Sequence, residues 1–146
     1  MKNFLLAITA VMMVSTTSSN AGAVEYSSRD LECMAKNIYF EARGESERGQ
    51  IMIAEVTLNR MNNGKFPDTV CGVVYQPSQF NWTDGSQVIS EKALYNKVKN
   101  VAKAVLEGDV KLSKTGALYF KRTGSRSSFH DSRPHVVRVG NHDFYR

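Results

Sequence analysis

No later stretch of this sequence approaches the roughly 20 consecutive apolar residues that a membrane-spanning helix requires, and the apolar run near the start, Phe4 to Val14, is too short to cross a bilayer. Dense lysine or arginine clusters are also missing, and no nucleic-acid module is recognisable. The formal net charge of +5 over 146 residues therefore selects no particular polyanion. Anionic lipid, an acidic wall polymer and plain solubility all remain compatible with it. Cysteine is scarce: Cys33 and Cys71 are the only two, too few and too far apart for a metal site. Histidine occurs three times, at His130, His135 and His142, without a paired cysteine or a His-x-x-Glu-His pattern. That argues against a zinc amidase. Tryptophan occurs once, at Trp82, and no segment repeats.

What is present begins with a leader pattern. Lys2 precedes the apolar run, and Ala21-Gly22-Ala23 supplies a small-residue cleavage signal. The expected division is a signal peptide over 1–23 and a catalytic domain over 24–146. Loss of Lys2 lowers the net charge by one. The mature chain is expected to be exported, to the periplasm or outside the cell, as a soluble monomer. In an oxidising compartment two cysteines favour one disulfide, with two buried thiols as the alternative.

Helical signals dominate the remainder. From a capping serine at Ser28, residues Leu31, Met34, Ala35, Ile38 and Ala42 follow helical spacing, and Gly44 is the expected stop. Ser46 to Met61 is apolar on most sides, which predicts a central buried helix. Thr69 to Tyr75 reads as a helical turn, and Ser90 to Glu107 as the clearest amphipathic helix, ending at Gly108. Ala117–Phe120 and Val136–Val139 read as short strands separated by a long loop. The class is mainly α with a small β element (α+β).

One carboxylate stands out within "NIYFEARGES". At ~100° per residue, Glu41 lies ~80° from the centre of the Leu31/Ala35/Ile38/Ala42 face. That is the border between core and solvent. A glutamate there either reaches out to water or loses hydration and holds its proton toward neutral pH.

The segments "CMAKNIYFEARGESERGQIMIAEVTLNR", "FPDTVCGVVYQPSQFNWT", "GALYF" and "VGNHDFYR" together resemble the cell wall hydrolase family typified by the spore-cortex-lytic enzyme SleB. The resemblance implies a compact lysozyme-like fold related to lytic transglycosylases, acting on peptidoglycan glycan strands with no cofactor and no metal. It also implies that Glu41, in the "YFEARGE" motif, is the catalytic acid.

Glycoside cleavage commonly employs a second carboxylate, for which Glu45, Glu55 and Asp84 are the candidates. Glu55, on the buried helix, is expected to face an internal partner such as Asn59 or Arg60. Lytic transglycosylases use a single glutamate, and that mechanism fits this chain better. Within "QFNWT", Gln79 and Trp82 are expected to bind sugar, with Tyr39 and Tyr119 as further wall candidates. For Trp82 and Tyr119, core packing is the alternative. Phe40 is assigned to the core and His142 to a structural role. The expected partner is peptidoglycan rather than nucleic acid or membrane. The other readings are a hydrolytic muramidase or glucosaminidase, and an inactive glycan-binding module.

Overall fold

The computed structural model describes residues 22–146; nearly all of the expected leader lies outside the described residues. Three long helices form the framework. Helix α1, Ser28–Ala42, is started by a capping box: Ser27 accepts from the Asp30 backbone N–H, and the Asp30 carboxylate accepts from that of Ser27. The cap is thus Ser27, one residue ahead of the expected serine. The helix closes with Arg43 as its right-handed C-cap, so Gly44 follows the cap as expected but without a left-handed conformation. Helix α2, Glu47–Met61, is capped by Ser46, and its sequence is buried on most sides as its composition demanded. Helix α3, Val70–Val74, is capped by Thr69, and a 3-10 turn follows at Asn81–Asp84. Helix α4, Lys92–Leu106, ends at Gly108, whose φ of +72° is left-handed. A side chain there would also collide with the backbone of Gly22 and Ala23, which runs along the end of α4. Val24 donates its N–H to the Leu106 carbonyl at 2.8 Å.

Helix α1 packs against α2, α3 and α4. The core so formed contains Met34, Ile38, Met52, Ile53, Val98 and Leu106, all essentially inaccessible. No helix among the described residues is long and apolar enough to cross a membrane.

The sheet departs more from expectation. Strand β1, Tyr119–Arg122, begins two residues later than read from the sequence and runs into the segment expected to be loop. That segment also forms a short helix, α5, Ser128–Asp131. Strand β2 covers His135–Val139, and a third strand not anticipated at all, β3, covers His142–Tyr145. The antiparallel order is β1-β3-β2, so β3 is central and every one of its residues is buried. Phe120 pairs with Phe144, and Arg122 with His142.

Polar side chains of α2 attach the sheet to the helices. Glu55, fully buried, accepts from the backbone N–H groups of Ser113 and Thr115 at 2.6 and 3.1 Å. The expected Asn59 and Arg60 are not its partners. Asn59 instead donates to the Ala117 carbonyl at 2.9 Å and Arg60 to that of Leu118 at 2.7 Å. The strand lead-in is therefore held residue by residue.

Cys33 of α1 and Cys71 of α3 form a disulfide, with Cα atoms 5.3 Å apart. Linking positions 38 residues apart restricts the unfolded chain and stabilises by ~4 kcal/mol in the chain-entropy model. Cys33→Ser with Cys71→Ser should therefore melt well below the parent in oxidising buffer. Reductant should lower the parent to the variant's melting temperature and leave the variant unchanged. A parent insensitive to reductant would refute the bond.

Candidate active site

The end of α1, the "QFNWT" loop, β1, α5 and the β2–β3 turn converge on one cleft of about 1080 Å³. Glu41 lies in its lining, one residue before α1 ends. The side chain is half-buried, and burial raises its pKa above the ordinary 4.5. A single hydrogen bond opposes this: the Trp82 indole N–H donates to Glu41 Oε1 at 2.9 Å, favouring the ionised form. Oε2 takes no partner among the described residues and is not sealed from solvent. The carboxyl group is thus held at one oxygen and open at the other. Such a group can donate a proton and later recover one.

Trp82 does not have the role expected of it. Instead of offering a face to the cleft, it is buried at 4 % exposure. Phe40 and Phe80 stack on it with centroids at 4.8 and 5.9 Å, and Tyr75 meets it edge-on. The aromatic stack fixes the indole, and the indole aims Glu41. Phe40, assigned to the core by sequence, reaches the cleft lining as well as packing on that core. Tyr39 is also displaced from the wall: at 1 % exposure it packs edge-on against Phe40 and Tyr95. Its hydroxyl accepts from the Glu91 N–H at 3.2 Å, supporting the start of α4.

Gln79 and Tyr119 do line the cleft. Gln79 is oriented by Arg60, whose Nη1 donates to Gln79 Oε1 at 2.8 Å. Arg60 is 5 % exposed, and its guanidinium lies over the rings of Phe66 and Tyr119. Burial pulls its pKa down to about 10, which leaves it charged at neutral pH. Sequence reasoning considered Arg60 only as a partner for Glu55 and did not connect it with the cleft; a buried-helix arginine among apolar neighbours was the available signal.

The three candidates for a second carboxylate separate cleanly. Glu55 is sealed in the interior beneath residues 113–115, away from the cleft. Asp84 lies outside the cleft lining, its carboxylate accepting from the Ser86 N–H at 2.7 Å. Glu45 does reach the cleft, but both its oxygens are engaged by Asn141, at 3.1 Å from the backbone N–H and 3.0 Å from Nδ2. Its neighbour His142, 8 % exposed, holds Nδ1 3.8 Å from Glu45 Oε1, and burial lowers its pKa. Glu45 thereby clasps the β2–β3 turn. The fit demands glycine at Gly140, where φ is +55° and a Cβ would fall 1.9 Å from Glu45 Oε2. Among the described residues no group of three or more histidine, cysteine or acidic side chains is placed to hold a metal ion.

A helical body, a three-stranded sheet and an open cleft with a half-buried carboxyl of raised pKa define the class of domain. Two solved structures share the fold. The catalytic domain of the germination-specific lytic transglycosylase SleB from Bacillus anthracis superposes with a TM-score of 0.68 at 33% identity, covering 83% of this chain and 97% of that one. The SleB catalytic domain of Bacillus cereus gives 0.68 at 29% identity, covering 89% and 100%. Residues 44–145 match the family model described as Cell Wall Hydrolase. The chain belongs to the cell wall hydrolase family. It is 34% identical over 119 residues to the spore cortex-lytic enzyme of Oceanobacillus iheyensis and 35% identical over 122 residues to that of Halalkalibacterium halodurans. In both cases 82% of this chain is covered, but only 42% and 35% of the relatives, so it spans less than half their length. Glu41 precedes the stretch matched by the family model.

Two consequences of the Glu41 setting are measurable. Trp82→Phe keeps the ring stack and deletes the donor that favours the ionised carboxylate, so the Glu41 pKa should rise further. Carboxyl carbon NMR titration reads this directly, and an unchanged pKa would remove Trp82 from the account. Because folding raises the Glu41 pKa, the native state binds more protons than the unfolded state above the ordinary value of 4.5. Stability is then lost as pH rises from that value through the folded pKa. Glu41→Gln escapes this loss. It should melt at or above the parent at pH values above the window and gain nothing below it.

Proposed function

We propose that this domain cleaves the glycan strand of peptidoglycan between N-acetylmuramic acid and N-acetylglucosamine, acting as a lytic transglycosylase. The observation that carries the reading is Glu41, the cleft carboxyl whose pKa burial raises and whose Oε2 is free to meet a substrate. In the first half of the reaction Glu41 gives its proton to the glycosidic oxygen, and the bond from that oxygen to the muramoyl C1 breaks. In the second half the Glu41 carboxylate takes the proton of the muramoyl C6 hydroxyl while O6 bonds to C1. The proton count closes, no water is consumed, and the product carries a 1,6-anhydromuramoyl end. Gln79, held by Arg60, supplies an amide for the sugar's hydroxyl or acetamido groups. Peptidoglycan as substrate places the working enzyme outside the cytoplasm, in keeping with the leader pattern.

Hydrolysis is the second reading, favoured by one observation: Glu45 shares the cleft with Glu41. A water-activating role would require that Glu45 give up at least one of its bonds to Asn141. That cost is the reason to prefer the single-glutamate route.

Glu41→Gln preserves shape and removes the acid, and should lower cleavage of purified peptidoglycan by at least about a hundredfold. Mass spectrometry of the soluble products from the parent decides between the two chemistries. Muropeptides lighter by about 18 Da, one water, than hydrolysis products identify transglycosylation. Reducing ends would move the assignment to hydrolysis with Glu45. Binding without any product would make the domain a glycan-binding module.

A further inference from the structure

Among the described residues three large apolar side chains are markedly exposed: Tyr75 at 43%, Val88 at 78% and Phe129 at 49%. Of these, Phe129 lines the cleft that contains Glu41, while the other two do not. Single exposed apolar residues are ordinary on protein surfaces, so exposure alone says little. The way Phe129 is held says more. The Arg133 guanidinium sits 3.5 Å from the Phe129 ring centroid and 4.6 Å from that of Tyr119. Arg133 Nη1 also donates to the Phe129 carbonyl oxygen. Tyr119 meets Phe129 edge-on with centroids 5.2 Å apart, and His130 does so at 5.1 Å. Tyr119 is in turn backed by the guanidinium of buried Arg60 and by Phe66. An aromatic and guanidinium column thus runs from the interior of α2 to the cleft rim and ends on a half-exposed ring.

We propose that Phe129 is a sugar-stacking platform of the cleft, binding one N-acetylhexosamine ring of a glycan strand through its C–H face. This inference rests on the reading of the cleft as a glycan site. A braced ring loses little conformational freedom when a ligand covers it, so apolar burial is retained as affinity. The polar groups beside it suit the same ligand, because Gln79, Asn81 and Asn141 supply amides around the cleft. Phe129 takes the part that the sequence suggested for Trp82, which the structure uses to aim Glu41 instead.

The test uses Glu41→Gln as the parent, so that bound glycan is not consumed, and peptide-free glycan strands prepared from peptidoglycan as the probe. Adding Phe129→Ala should weaken binding roughly three- to tenfold, and Phe129→Trp should restore it. In the active enzyme, Phe129→Ala should raise KM by a similar factor with kcat within about twofold. If the alanine variant is folded by circular dichroism and binds like its parent, the platform is refuted while the cleavage reading stands. A loss seen only with peptide-bearing strands would also refute it, by assigning Phe129 to the stem peptide. If the Glu41→Gln parent itself binds no glycan and the active enzyme yields no product, both readings fall together. Should the alanine variant misfold, the tryptophan variant decides: binding at parental strength supports an aromatic platform, and lost binding in a folded protein overturns it.

Discussion

One buried cation, Arg60, touches several parts of this domain at once. Its Nε–H meets the carbonyl leading into β1, its Nη1–H meets Gln79, and its flat faces meet Phe66 and Tyr119. Among the described residues no carboxylate shares those contacts; carbonyl dipoles and π faces stabilise the charge instead. Removing a charge from water is costly unless its hydrogen bonds are replaced. The guanidinium therefore constrains every group around it to stay where it can be a partner. The helical body, the strand lead-in, the "QFNWT" loop and the cleft wall are kept in register by the same demand.

The glutamates show how one side chain acquires different tasks from its surroundings alone. Glu32 accepts from Tyr95 at 2.6 Å and pairs with Lys99, tying α1 to α4 with a pKa held below the usual carboxylate range. Glu55 replaces water for two backbone N–H groups in the interior. Glu45 clasps a hairpin turn. Of these four, Glu41 alone combines apolar burial with an open oxygen, and that burial raises its pKa. Protonation chemistry is assigned by solvation and partners, with residue identity only a precondition.

Helices α1, α2 and α4 were legible because apolar residues at a 3.6 period leave little freedom, and their stops and starts were off by a residue or two. Glu41 was legible as a border residue for the same reason. The errors have a common origin. Trp82 and Tyr39 were placed on the cleft because aromatic residues near polar ones suggest a binding wall, yet burial of a large ring behind the wall gives the same local pattern. Gln79 and Tyr119 reached the cleft as expected, but what holds them, Arg60 and Arg133, is distant in sequence. Strand β3 was missed because His142 and Asp143 look like surface residues. His142 is buried beside Glu45, and Asp143 is buried by Arg138 and His135, contacts that exist only after the chain has folded. Glu55 looked like a possible second acid for the converse reason, its partners lying in a segment with no sequence signature.

The order of the sheet sets a constraint on assembly. Strands β1 and β2 do not pair with each other; each pairs with β3, which follows them both in the chain. Neither can complete its hydrogen bonding until β3 arrives. The same late segment brings Asn141 and His142 to the cleft. A nascent or partly translocated chain can hold a finished helical body and still lack its groove. The cleft wall is thus completed by the last strand of the sheet to be made, a form of timing written into topology.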